Sequence, residues 1–164
     1  MKNFDWSAFS MKILIKTSIN DVYRAWTLSS ELEKWFLEKA TFWGLDRQVM
    51  PPNEQAGAGC RYQWSYYLHE EVENGKYHEA NGKDHIQFSF AGDCVVDVKL
   101  SEKYDWVLVE LTQKNIPTDE ISKQEIRLGC YKGWAFYLVN LKSVLEGGLD
   151  LRNKDENFKP MVNN

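Results

Sequence analysis

The chain is short of the residues that staple or metallate small proteins. Of its 164 residues only three are cysteine and three histidine. Cys60, Cys94 and Cys130 are odd in number and far apart, which argues against a disulfide framework; the expectation is reduced, buried thiols in a cytoplasmic protein. His69, His78 and His85 carry no zinc pattern, which needs two histidines four apart on a helix or a cysteine pair two apart. No metal and no cofactor is therefore expected. A basic run is missing as well, and the net charge is −4. Phosphate-backbone affinity needs clustered Lys and Arg that release counterions, so nucleic acid is not an expected partner. No apolar run approaches membrane-spanning length, and MKNFDWSAF lacks the apolar core of a signal peptide, so membrane insertion is not expected either.

Signatures of catalysis are equally scarce. No GxSxG, Walker or GxGxxG pattern occurs, and the cluster Glu70, Glu71, Glu73 reads as a solvated hairpin. An inward acid such as Glu110 or Asp97 would be the candidate general base, but a solvent-facing role is the simpler expectation, and an enzyme is not expected.

What the chain has in quantity is aromatic: 7 Trp, 8 Tyr and 8 Phe among 43% apolar and 27% charged residues. A chain of this length is most simply one domain, residues 1–164, with a core over about 10–149 and a polar tail over 150–164 that wraps loosely or frays. Ser10–Ile19 reads as a first strand with Ile13, Ile15, Thr17 and Ile19 on one face. Asn20 is an expected N-cap for a short helix, Asp21–Leu28. Ser30 and Glu33 form a capping box for a second, Glu31–Glu38, with Leu32, Trp35 and Phe36 apolar.

Lys39–Gln48 reads as a strand and Met50–Gly59 as a loop. Cys60–His69 alternates most clearly, with Cys60, Tyr62, Trp64, Tyr66 and Leu68 sharing a face. Asn74-Gly75 predicts a hairpin turn, and Asn81-Gly82 another. Strands follow at His85–Phe90, Cys94–Leu100 and Trp106–Gln113. Ser122–Gly148 then reads as one helix about 36 Å long, opened by a Ser122/Glu125 capping box and closed by Gly147-Gly148. Its apolar stripe runs Ile126, Cys130, Trp134, Tyr137, Leu138, Leu141, Val144 and Leu145. Leu128, Ala135, Phe136 and Val139 lie off that stripe; cover by the short helices or the tail is one expectation, a homodimer or partner-protein contact the other. The fold expected is α+β: a curved antiparallel sheet of six to seven strands wrapped around a long C-terminal helix, with two short helices after the first strand, a helix-grip.

That order and several motifs resemble the START-like, or SRPBCC, superfamily, which includes the birch-pollen-allergen-like fold. Within it the chain is most similar to the group related to the activator of heat-shock-protein-90 ATPase. The resemblance rests on Asp21 through Trp26, Glu33 through Phe36, Gly59 through Trp64, Gly133-Trp134, Leu138, Asn140 through Lys142 and Leu145 through Gly148, and covers Met11 to Leu149. It implies a hydrophobic cavity between sheet and helix for a small apolar molecule, while a few relatives are cyclases and some act on chaperones. Direct chaperone activation is not expected, since the extra N-terminal region of the eukaryotic activator has no counterpart. The residues expected to line the cavity are Trp35, Phe36, Tyr62, Trp64, Tyr66, Phe88, Phe90, Trp106, Trp134, Tyr137, Leu138 and Leu141. The same rings would equally make a packed core, and the pattern alone leaves both open.

Overall fold

A computed structural model describes residues 4–164. Seven strands, β1 (Phe9–Ile15), β2 (Lys39–Trp43), β3 (Arg61–Ser65), β4 (Val72–Ala80), β5 (His85–Ser89), β6 (Val95–Lys103) and β7 (Trp106–Lys114), form one sheet in the order β1-β7-β6-β5-β4-β3-β2. Every neighbouring pair is antiparallel. Consecutive strands from β2 onward are neighbours, as short connections dictate. β1 and β2 stand at opposite edges, and helices α1 (Ile19–Thr27) and α2 (Ser29–Trp35) carry the chain between them. The long helix, α3, runs from Glu120 to Leu145: a first turn Glu120–Ser122, a π-helical stretch Lys123–Leu128, then regular α-helix over Gly129–Leu145. It packs on β1 and α2, inside the curve of the sheet.

Alternation decides which face looks inward. Tyr62 and Trp64 of β3, Tyr77 of β4, Ile86 and Phe88 of β5, Val96 and Val98 of β6, and Val107, Val109 and Leu111 of β7 form a continuous buried face, completed by Trp26 and Trp35 of α1 and α2 and by Trp134, Leu138 and Leu141 of α3.

Several boundaries differ from the sequence reading, each for a local reason. β1 ends at Ile15, and α1 is capped by Ser18 rather than Asn20: the Ser18 hydroxyl accepts the Asp21 N–H at 3.1 Å while donating to its carboxylate at 2.7 Å. Ser30 and Glu33 make no capping box. Ser30 Oγ donates to the Pro52 carbonyl, and Glu33 instead accepts the Ala40 N–H and pairs with Lys39. α3 starts one turn early because Asp119, not Ser122, accepts at its N-terminus. β2 stops at Trp43, where a turn intervenes before the lone bridge to Val49.

Asn74-Gly75 is no turn but the middle of β4, opposite Gln63 and Tyr62 of β3. A Cβ on Gly75 would stand 2.4 Å from the Tyr62 ring. The glycine is there to let that ring lie flat on the neighbouring backbone.

The tail is not loose. Arg152 is 8% exposed and donates to the carbonyls of Leu37 (2.8 Å) and Glu33 (2.9 Å), while Asp150 holds its guanidinium at 2.7 Å. Asn140 of α3 donates to the Trp35 carbonyl at 2.7 Å and to Asp150 at 3.0 Å, and accepts the Leu151 N–H. Tail and long helix together satisfy the orphan carbonyls at the C-terminal end of α2, where a positive charge also suits the helix dipole. Arg152→Ala leaves these carbonyls and the Asp150 carboxylate without their cation, and should cost about 2–4 kcal/mol in urea unfolding. Arg152→Lys should recover less than half of that, lacking the fork. Burial pushes the Asp150 carboxyl up, but hydrogen bonds from Arg152, Lys154 and Asn140 outweigh it and hold the carboxyl below the usual range. The unfolded chain therefore takes up the proton first, so this share of stability is complete above about pH 4 and is lost as pH falls below it. Arg152→Ala should flatten that acid limb.

Candidate functional site

At one end of the helix-grip the packing opens into a cleft of about 570 Å³ between the first half of α3 and the ends of β3, β4 and β5. The β3–β4 connection supplies Tyr66 and His69, β4 supplies Glu73, the turn after β5 supplies Phe90 and Ala91, α2 ends in Phe36, and α3 contributes Glu125, Gly129, Cys130, Gly133, Trp134 and Tyr137. Gly129 and Gly133 are one helical turn apart, and a Cβ at either would meet nothing within 4 Å. Their missing side chains keep the helix wall thin.

Aromatic rings make the floor. Phe36 meets Trp134 at 5.1 Å between centroids, Tyr137 at 4.8 Å and Tyr66 at 5.5 Å, and Phe90 meets Trp134 at 4.9 Å. The Trp134 indole N–H is spoken for by Gln113 Oε1 at 2.9 Å, which fixes the ring's orientation. Edge-on and tilted packing of this kind holds each ring by its neighbours.

The polar groups are exposed Glu71 and Glu125, half-buried Glu73, His69, Cys130, Tyr66 and Tyr137. The Tyr66 hydroxyl is buried and has no hydrogen-bond partner, and burial holds it protonated, well above the usual phenol range. Glu73 lies opposite Trp64 in the β3–β4 register, and so on the inward face. One of its oxygens accepts the Ala91 N–H at 3.0 Å. Ala91 has φ 55°, a left-handed conformation rare for a residue with a Cβ. Burial raises the Glu73 carboxyl, offset in part by the Ala91 bond. Burial also pushes the Cys130 thiol up to about 11 and the Tyr137 phenol up to about 12, so neither is an anionic nucleophile near neutral pH. Among the described residues no group of three or more His, Cys, Asp or Glu is placed to hold a metal ion.

Of the twelve residues singled out in sequence, Phe36, Tyr66, Phe90, Trp134 and Tyr137 border this cleft. Trp35, Tyr62, Trp64, Phe88, Leu138 and Leu141 lie behind it in the packed core; Tyr62 and Trp64 stack at 3.7 Å and Trp35 donates its indole N–H to the Ala25 carbonyl. Trp106 is elsewhere. It opens β7 on the parity opposite to Val107, is 37% exposed, and lies under the ammonium of Lys142 at 4.8 Å.

Neither inward acid named from sequence is inward. Glu110 pairs with Lys12 on the surface, and Asp97 sits on the outer face with His85, Gln87 and Lys114. Burial raises the Asp97 carboxyl, but hydrogen bonds from Lys114, Gln87 and His85 outweigh it and bring it to about 2. Glu73 is the acid the sequence reading missed, because a turn at Asn74-Gly75 would have put it in solvent. Counting back in twos from buried Tyr77 through Gly75 was the signal that could have found it.

Removing the Tyr66 hydroxyl is informative. Because it has no protein partner, Tyr66→Phe should leave stability unchanged or raise it by up to about 1 kcal/mol. A loss greater than about 1 kcal/mol in chemical unfolding would mean that the hydroxyl is already satisfied.

Comparison with known proteins bears on the fold and the lineage. A family model described as Activator of Hsp90 ATPase homolog 1-like protein matches residues 16–146. Among solved structures, the Aha1 dimer from Colwellia psychrerythraea is similar with a TM-score of 0.66 at 19% identity, covering 86% of this chain and 97% of that one. Protein SSP2350 from Staphylococcus saprophyticus gives 0.68 at 16% identity, over 88% and 96%. DynU16, a protein of the dynemicin biosynthetic locus, gives 0.64 at 16% identity, over 90% of this chain and 50% of its own. At these identities the likeness is one of fold. No curated protein matches the sequence.

Proposed function

The chain belongs to the Activator of Hsp90 ATPase homolog 1-like family, and from that premise we propose that it is a non-catalytic binding module that takes a small, largely apolar molecule into the cleft beside Trp134. The observation that carries this reading is the combination of an open, ring-floored cleft with a buried hydroxyl, Tyr66 Oη, that no protein group satisfies. Burying such a group without a partner costs on the order of 1–3 kcal/mol, so a ligand that supplies the missing hydrogen bond gains from it. The volume falls in the range of sites for drug-sized ligands, with apolar walls and a small number of placed polar groups. A metabolite of about two fused rings, or a short acyl chain, fits the floor made by Phe36, Phe90 and Trp134. The protein would then hold or deliver its cargo without transforming it.

The decisive variant is one that fills the cleft without touching the core. Gly133 is helical and faces open space, so Gly133→Leu should fold at least as well as the wild type, since leucine favours a helix over glycine by roughly 0.5–1 kcal/mol. Binding of the neutral fluorescent probe N-phenyl-1-naphthylamine should fall by about tenfold or more in this variant. Equal binding in both proteins would place the probe elsewhere and count against the reading.

A second reading, self-association, is favoured by a different observation. On the side of α3 away from the cleft, Leu128, Tyr131 and Val139 are 52%, 46% and 50% exposed, and neither the short helices nor the tail covers them. Tyr131 and Val139 run beside β1, the edge strand of the sheet, and the Colwellia protein is described as a dimer. If this face pairs two copies, sedimentation should show a dimer that Val139→Glu converts to monomer. A wild type that stays monomeric at about 100 μM, where weak interfaces are normally populated, would remove this reading.

A further inference from the structure

We infer that the cleft selects cationic ligands, an amine or ammonium attached to an apolar body, over neutral and anionic ones of the same shape; this deepens the binding reading above and rests on it. The first ground is the sign of the charge around the opening. Glu71, Glu73 and Glu125 border it, and no Lys or Arg does. Among the described residues none of the three takes part in a salt bridge within the protein. Among the described residues, eight Lys or Arg ion pairs and eight cation–ring contacts occupy basic side chains elsewhere, so the absence at the cleft is not a shortage of cations in the chain. An anionic ligand would meet exposed Glu71 and Glu125 and half-buried Glu73, with repulsion from Glu73 the least screened of the three.

The second ground is hydrogen-bonding capacity. Tyr66 borders the same cleft, and its hydroxyl is buried without a partner. Glu73 is half-buried on the inward face, and only one of its oxygens has a protein donor, the Ala91 N–H. Held in place by that bond, the carboxylate offers its second oxygen to an incoming donor. A primary ammonium has three N–H donors and no acceptor, which matches a carboxylate oxygen and a hydroxyl oxygen that both lack donors. The aromatic lining completes the match: Phe36, Phe90, Trp134 and Tyr137 border the cleft, and aromatic rings attract a cation through their quadrupoles, most strongly when water is excluded. A carboxylate ligand would find the hydroxyls of Tyr66 and Tyr137, the Cys130 thiol and His69 as side-chain donors, but no Lys or Arg to offset its charge.

The test is a matched trio carrying one bicyclic ring: 2-naphthylmethylamine, 2-naphthylmethanol and 2-naphthoate, titrated into the intact protein at pH 7 and low salt by calorimetry. The expected order is amine tightest, by about tenfold over the alcohol, and carboxylate weakest. Glu73→Gln should bring the amine to within about twofold of the alcohol while leaving the alcohol unchanged. Should that variant unfold, the wild-type ratio of amine to carboxylate tests the same charge, and Glu125→Gln should lower it by no more than about threefold. An alcohol or carboxylate that binds as tightly as the amine, or an amine preference that survives Glu73→Gln, overturns the charge selectivity and leaves the apolar-ligand reading standing. No binding of any of the three overturns both.

Discussion

Trp134 is the side chain on which the rest of the arrangement depends. Its ring sits where α3, α1, α2 and β5 converge, within 5.8 Å of Trp26, 5.1 Å of Phe36 and 6.4 Å of Phe88, and its one polar atom is tied to Gln113 on β7. An indole buried this way contributes several kcal/mol through its area alone. The hydrogen bond adds direction: it sets the rotation of the helix about its own axis. Once that rotation is fixed, Gly129, Gly133 and Tyr137 face the cleft, Leu138 and Leu141 face the sheet, and Leu128, Tyr131 and Val139 face outward.

The two ends of the helix are treated differently, and this asymmetry is what makes a site. Toward its C-terminus, Asn140 and the returning tail bind the carbonyls at the end of α2, and Arg152 is sunk among them. That end is closed by hydrogen bonds that cannot be broken cheaply. Toward the N-terminal half, two glycines replace side chains, the β3–β4 connection stays open, and the floor is a set of rings with one unpartnered hydroxyl. Stability is supplied at one end, and accessible apolar surface is left at the other. Such surface in a concave site is a feature of binding proteins.

Much of this architecture was legible in the sequence because the relevant signals are local. Alternation over Cys94–Leu100 marks the inward face correctly, that over Cys60–His69 does so as far as Trp64 because β3 ends at Ser65 and Leu68 turns to φ 66°, and the 3.6-residue stripe from Ile126 to Leu145 identifies the core face of α3. The misses came where a residue answers to a distant partner. Gly75 looks like half of a turn but serves the ring of Tyr62, thirteen residues back and across the sheet. Arg152 reads as part of a polar tail, yet its partners are carbonyls 115 and 119 residues away. Trp106 belongs to a strand end where parity, not hydrophobicity, decides the face. As for the rings, the choice between core and pocket had no answer in pattern, and the structure divides them: some fill the centre and others floor the opening.

If the proposed ligand enters between Gly133 and Glu73, beside Trp134, backbone amide shifts during titration with 2-naphthylmethanol report it most directly. The largest changes should then fall on Val72, Ala91, Gly129 and Gly133, with the indole N–H of Trp134 shifting among them. Changes confined to β1, Ala135 and Val139, or no changes at all at saturating probe, would contradict it.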